Sequence, residues 1–232
     1  DDPHERLFFD LSDPDFYYAR GLYDWENKVQ RIDYLKEGLG HLNEAGNAFF
    51  HIGFERLLMA KKRMILHSCL VKTAYGGILF SGDSGIGKST QGNLWCRYEN
   101  AEVLNGDRSV LHKQEKGWLA YGSPYAGSSR VYVNESVPVR CIVMLKQAGF
   151  CSIRRLSESE AFIRLYAQMT INTWDTDFIE GALEFVEMLA LDIPVYGLSC
   201  TPDEDAVRIL KETVETLVYE AEGGKEYDRF KE

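Results

Sequence analysis

No apolar run in the 232-residue chain approaches the roughly 20 residues that a membrane helix needs, and no charged, apolar, small-residue order at its start marks a signal peptide. Positive charge is in deficit. Twenty-six Lys and Arg face 36 Asp and Glu, for a net charge of −10, which argues against a surface that holds nucleic acid or anionic lipid by releasing counterions. A local basic pocket is still compatible with that balance. Cysteines are few and unpatterned: Cys69, Cys96, Cys141, Cys151 and Cys200 have neither C-x-x-C spacing nor the density of a disulfide framework. They read as reduced thiols of a cytoplasmic protein, each a small buried apolar residue before it is a ligand. There is no internal repeat, no low-complexity linker and no nucleobase-reading motif. The first residue is Asp1 rather than methionine, as expected of a fragment or a processed form. One continuous α/β domain is the economical expectation.

What the chain does have is Gly82-Asp83-Ser84-Gly85-Ile86-Gly87-Lys88-Ser89, which fits the Walker A pattern G-x-x-x-x-G-K-[ST]. The apolar run Gly77 to Phe80 precedes it, and Thr90 to Tyr98 reads as a helix, so the context is strand, loop, helix. Glycines at 82, 85 and 87 allow a tight turn around an anion, where a side chain would block φ > 0 or the approach of a phosphate. Amides at the start of the following helix would point at the phosphates. Lys88 would reach the β and γ oxygens, and Ser89 would complete the shell of a Mg²⁺ ion that keeps most of its waters. The competing reading is a glycine-rich turn with a solvated lysine.

Elsewhere the pattern is plainer. Residues 1–46 form an aromatic-rich N-terminal segment without sustained period, expected as short strands or irregular structure packed on the core. Its Phe8, Phe9, Phe16, Tyr17, Tyr18, Tyr23 and Trp25 are core residues or, less simply, a peptide-docking surface. Residues 47–222 make the main body, and 223–232 a charged tail. Helical spacing predicts one helix over 47–64, then strands at 64–71 and 78–80, and a strand at 101–104 ending in Asn105-Gly106-Asp107-Arg108. A hairpin is expected at 109–121, a loop of small residues at 122–129, and strands at 131–133 and 139–145, the last buried on both faces. Capping boxes at Ser157/Glu160 and Thr201/Glu204 open helices, the first running to about Thr170. A helix over 177–191 and a strand over 194–198 lie between them.

With these residues in place, the sequence resembles the HPr kinase/phosphorylase family and its relatives, the phosphoenolpyruvate carboxykinases. His67 ahead of the loop, the loop itself, and the acidic strand end carry the likeness, over roughly residues 60–150. The resemblance implies an α/β P-loop kinase fold with mixed β-sheets and C-terminal helices, ATP and Mg²⁺ as cofactors, and a homo-oligomer. It places nucleotide on residues 82–90, including Asp83, Ser84, Ile86 and Thr90, and metal on Ser89 and Asp107. It makes Asp107 the proton acceptor, with His67, at the end of its strand, and Lys88 beside the phosphates. Family members carry two adjacent aspartates, and here Gly106 stands in the first place. Thr90 follows the loop serine as in the carboxykinases. The nearest likeness is to small stand-alone relatives, some of which phosphorylate serine on a precursor peptide.

For several residues the sequence offers two readings. His67 is a core histidine or a catalytic one, and Asp107 a turn cap or a functional carboxylate. Arg108 is a phosphate contact or half of a surface pair. Arg130, Arg154 and Arg155 are candidates for a cation near the transferring group, or solvated loop and strand ends. Three function classes follow: a kinase acting on a hydroxyl, expected to be serine of a peptide or protein; a catalytically weak nucleotide sensor or regulatory module; and a small-molecule or carboxykinase-like enzyme, for which the chain is short.

Overall fold

The computed structural model describes residues 5–24, 26–43, 45–125, 127–173 and 175–221. The expectations for Trp25, for Ala126 and for the charged tail 223–232 lie outside the described residues.

The N-terminal stretch folds as an antiparallel meander of β1 (Glu5–Phe9), β2 (Tyr17–Asp24) and β3 (Val29–Tyr34), followed by a 3₁₀ helix (Lys36–Asn43). Phe8, Tyr18 and Ala19 form its small core, whereas Phe9 and Tyr17 remain exposed. The single helix expected over 47–64 is two short ones, α1 (Ala45–His51) and α2 (Phe54–Met59). Gly53, at φ +61°, breaks the ladder between them, and Lys62, at φ +55°, turns the chain into the next strand.

That strand, β4 (Arg63–Thr73), opens the main sheet. It is followed by β5 (Gly76–Ser81), α3 (Lys88–Glu99), β6 (Glu102–Asn105), β7 (Arg108–Gln114), β8 (Gly117–Tyr121), β9 (Ser136–Gln147), β10 (Ser152–Arg155), α4 (Glu158–Tyr166), α5 (Thr176–Asp192), β11 (Val195–Cys200) and α6 (Glu204–Ala221). The strand order is β10-β11-β9-β5-β4-β7-β8, with β6 also on β4 and β8 pairing back onto β9. β5, β9 and β11 are parallel and the other pairs antiparallel, so the fold is a mixed α/β one.

The apolar run of β9 is buried on both faces because helices cover both. Ile142 and Met144 join Leu79, Leu165 and Phe185 under α4 and α5, while Cys141, Val143 and Leu145 join Phe80, Trp95 and Leu210 under α3 and α6. Each such side chain contributes about 1.5–3 kcal/mol on leaving water. α3 sits close on the sheet at Gly92, where a Cβ would come within 2.7 Å of Cys69 Sγ. All five cysteines are free thiols. No helix among the described residues is long and apolar enough to cross a membrane.

Four local expectations fail. Residues 131–133 form only an isolated bridge, Tyr132 to Asn105, instead of a strand. β10 was not foreseen, since Ser152-Ile153-Arg154-Arg155 is an edge strand with one apolar residue. α4 keeps its Ser157/Glu160 capping box but ends at Tyr166, after which Met169 bridges to Leu66 of β4. α6 starts at Glu204, and the Thr201 hydroxyl lies 3.3 Å from Cys151 Sγ.

A buried imidazole helps fasten the meander to the main body, beside the Arg6–Glu55 ion pair. His51 at the end of α1 has the Tyr18 hydroxyl 2.9 Å from Nε2 and the Tyr34 hydroxyl 2.6 Å from Nδ1, and its carbonyl accepts from Tyr23. Burial first, then the charges of Arg6 and His41, push its pKa down to about 4. A neutral imidazole donates from one nitrogen and accepts at the other, which suits two hydroxyls. The folded pKa lies below the ordinary value of about 6.5, so the unfolded chain binds the extra proton. Stability from this clasp is complete above about pH 6.5 and declines as pH falls towards 4, by roughly 3 kcal/mol in all. Urea midpoints at pH 7 and pH 4.5 should show that loss, and a His51→Gln variant should show a flatter profile over the same interval.

Candidate functional site

The middle of β4 draws the site together. His67 pairs with Arg108 at the start of β7, Ser68 with Ser81 at the end of β5, and Leu70 with Asn105 at the end of β6. Three strand ends therefore meet within four residues. His67, expected at a strand end, lies inside an eleven-residue strand; the sequence signals that β4 continues but not that its partner changes there.

After Ser81 the chain enters the glycine-rich turn. Gly82, Gly85 and Gly87 take φ of +139°, +77° and +113°. A Cβ on Gly85 or Gly87 would meet no protein atom within 4 Å, so these glycines serve the backbone angle and leave a clear space in front of it. Gly87 caps α3 without a side-chain hydrogen bond, which leaves the first-turn amides of the helix without an internal acceptor. Lys88 is buried, and its ammonium donates to the carbonyls of Gly82 and Asp83, both at 3.0 Å. Burial pushes its pKa down, and the carboxylates of Asp107 and Asp83 oppose that. Ser89 and Thr90 are exposed at the mouth of the turn. The turn is steadied from outside by the Gln168 amide on Asp83 at 3.2 Å and the Gln147 amide on the carbonyls of Gly85 and Ile86 at 3.4 Å. Ser84 is exposed and Ile86 half-buried against the core below α3.

Asp107 stands next to this turn. Its backbone N–H and that of Arg108 both donate to the buried Asn105 side-chain oxygen, at 2.9 and 2.7 Å, while Asn105 Nδ2 donates to the carbonyls of Ser123 and Tyr125. The carboxylate has His67 Nε2 at 3.5 Å and Arg108 Nε at 3.6 Å, both electrostatic contacts longer than well-formed hydrogen bonds. His67, then the charges of Arg108 and Lys88, hold the Asp107 carboxyl below the usual carboxylate range against the opposing effect of burial. Arg108 is fixed further by donating to Thr170 Oγ1 at 2.8 Å.

Asp107 and Arg108 also line a cleft of about 860 Å³ to which the turn contributes no wall. Its other walls come from Asn47 and Phe50 of α1, Tyr125 and Gly127, and Arg130. Arg130, at φ +54°, thus reaches the site. Arg155 does not: it lies on edge strand β10, which β11 and β9 separate from β5 by about three strand spacings, or ~14 Å. Arg154 is held by both oxygens of Glu160, at 2.9 and 2.6 Å.

Sequence reasoning missed Asn105 as the organiser, Thr170 and Gln168 as distant supports, and Gly127. A Cβ on Gly127 would lie 2.8 Å from Asp107 Cγ, at a φ of +54°. Gly127→Ala should therefore push the carboxylate aside, and any turnover that depends on Asp107 should fall by about 10²-fold, the effect of roughly 1 Å of misplacement. Steady-state kinetics with unchanged nucleotide affinity would identify that cause.

No family model matches the chain, and no curated protein matches it. Among solved structures it is similar to the Hpr(Ser) kinase/phosphatase from Coxiella burnetii, at 13% identity and a TM-score of 0.41, over 68% of this chain and 93% of that one.

Proposed function

We propose that the protein is an ATP- and Mg²⁺-dependent kinase that moves the γ-phosphoryl group to a hydroxyl, with serine of a peptide or protein as the acceptor. The supporting observation is that Asp107 has the glycine turn with its Lys88 on one hand and an open cleft on the other. On one side is a glycine turn with free helix amides and a buried lysine, a setting suited to a polyphosphate. On the other is a cleft of about 860 Å³, large enough for a side chain and its flanking residues. A hydroxyl in that cleft would present its proton to Asp107. Late proton loss in a loose transfer makes orientation more important than base strength, and Asn105, Gly127 and Arg108 supply orientation.

Lys88 and residues 82–90 hold the phosphates in this reading. Ser89 and Asp107 are the oxygen donors for Mg²⁺. Among the described residues no cluster of three or more metal-ligating side chains occurs, and such a sparse set suits an ion that keeps its waters and is bound largely through phosphates. The ion supplies charge neutralisation on the transferring group. Residues 47–222 are then the kinase-like unit, and 1–46 a segment packed on it.

Gly106, where the resembled family has an aspartate, favours a second reading as a nucleotide sensor with little turnover. Transfer of label from the γ-phosphate of ATP to serine peptides tests the first reading. Tight ATP binding by calorimetry with no transfer over a broad acceptor panel would replace it with the second.

A further inference from the structure

A second hollow, of about 300 Å³, lies on the opposite side of the glycine turn from the acceptor cleft. Three neighbouring strands make its floor. Lys146, Ser199 and Ser152 stand in one row and Met144, Gly197 and Arg154 in the next, by the register of β9, β11 and β10. The central strand contributes Gly197, Leu198 and Ser199, and the two small residues, which share one row position each with Met144 and Lys146, leave the floor low. Leu156, whose Cδ2 lies 3.1 Å from where a Gly197 Cβ would be, closes one side, and Arg164 of α4 lines another.

The hollow borders the glycine turn at two points. Lys146 lies between Leu145, whose backbone flanks Gly82, and Gln147, whose amide reaches the carbonyls of Gly85 and Ile86. Arg164 precedes by about one turn Gln168, which touches Asp83. Within a chain of net charge −10, this small space carries three cations. Arg154 is neutralised by Glu160, while Lys146 and Arg164 have no acidic partner among the described residues.

Resting on the kinase reading, we infer that this hollow is the seat of the nucleoside end of the donor. Asp107 and the acceptor cleft lie on the β4 side of β5, so the terminal phosphate belongs there. The rest of the nucleotide must then leave across the carboxyl ends of β9 and β11, as ligands of open α/β sheets do. An apolar floor of Met144 and Leu156 beside an arginine suits a flat base, since guanidinium planes stack on aromatic faces. Lys146, nearest the turn, suits the innermost phosphate or the ribose hydroxyls.

The test compares ATP with inorganic tripolyphosphate by calorimetry at 0.15 M salt with Mg²⁺, in the full chain. ATP should bind the unaltered protein at least tenfold more tightly than tripolyphosphate. Arg164→Glu, on an exposed helix face, and Ser199→Leu, which fills the hollow, should each weaken ATP tenfold or more and tripolyphosphate less than threefold, because screening confines the charge effect to about 8 Å. Equal binding of the two ligands, or equal loss for both in the variants, would overturn the assignment while the glycine turn kept its phosphate role. Binding of neither ligand would overturn both.

Discussion

Asp107→Asn is expected to lower phosphoryl transfer by about 10²–10⁴-fold, the usual contribution of a positioned general base, with nucleotide affinity changed by only a few fold. Asparagine has the same shape and accepts the same space against Gly127, so the supports of the loop from Asn105 remain. It cannot take the acceptor proton. The wild-type pH profile offers an independent check on the residue. His67 is the leading cause of the lowered Asp107 pKa, so the carboxylate stays ionised to lower pH than an ordinary one, and on the kinase reading activity would be lost only as pH falls through that depressed range. Removing the imidazole with His67→Ala should raise the pKa and move the acid limb upward in pH. Full transfer by Asp107→Asn would remove Asp107 from the chemistry.

The second large effect is at Lys88. Its ammonium is held by two carbonyls of its own turn and has lost much of its water, so an arriving polyphosphate would meet a poorly hydrated, already positioned charge. Lys88→Ala should reduce kcat/KM by about 10²–10³-fold, the scale seen when one preorganised donor to developing negative charge is deleted. Thermal midpoints of the variant should stay close to those of the parent, because the fold around α3 rests on Trp95 and Gly92 packing rather than on the lysine. A variant that keeps full transfer would end the kinase reading, whichever acceptor is used.

The elements legible in the sequence were those whose signal is local. β5, the turn and α3 follow from an apolar run, spaced glycines and a helix start within a short stretch, and the double-sided burial of β9 follows from its unbroken apolar character. The break at Gly53 was not legible from spacing, because the apolar period continues through the glycine. The supports of Arg108 and of the glycine turn were not legible, because they come from far along the chain: Thr170 is 62 residues from Arg108, and Gln168 is 85 from Asp83. Arg130 and Arg155 are alike as sequence, both arginines at strand or loop ends. Only the strand order, with β10 at the outer edge, separates the one that reaches the cleft from the one that does not.

The tyrosine clasp on His51 has a consequence for how acceptor choice could change. The clasp holds α1, and α1 gives the cleft Asn47 and Phe50, with Phe50 also under the Arg6 guanidinium at 4.1 Å. On the kinase reading, part of the wall that would meet the incoming group is thereby held by the N-terminal meander, apart from the glycine turn that would take the phosphates. Sequence drift in the first 46 residues could retune the one while the other stayed as it is, much as a lathe changes its chuck and keeps its motor.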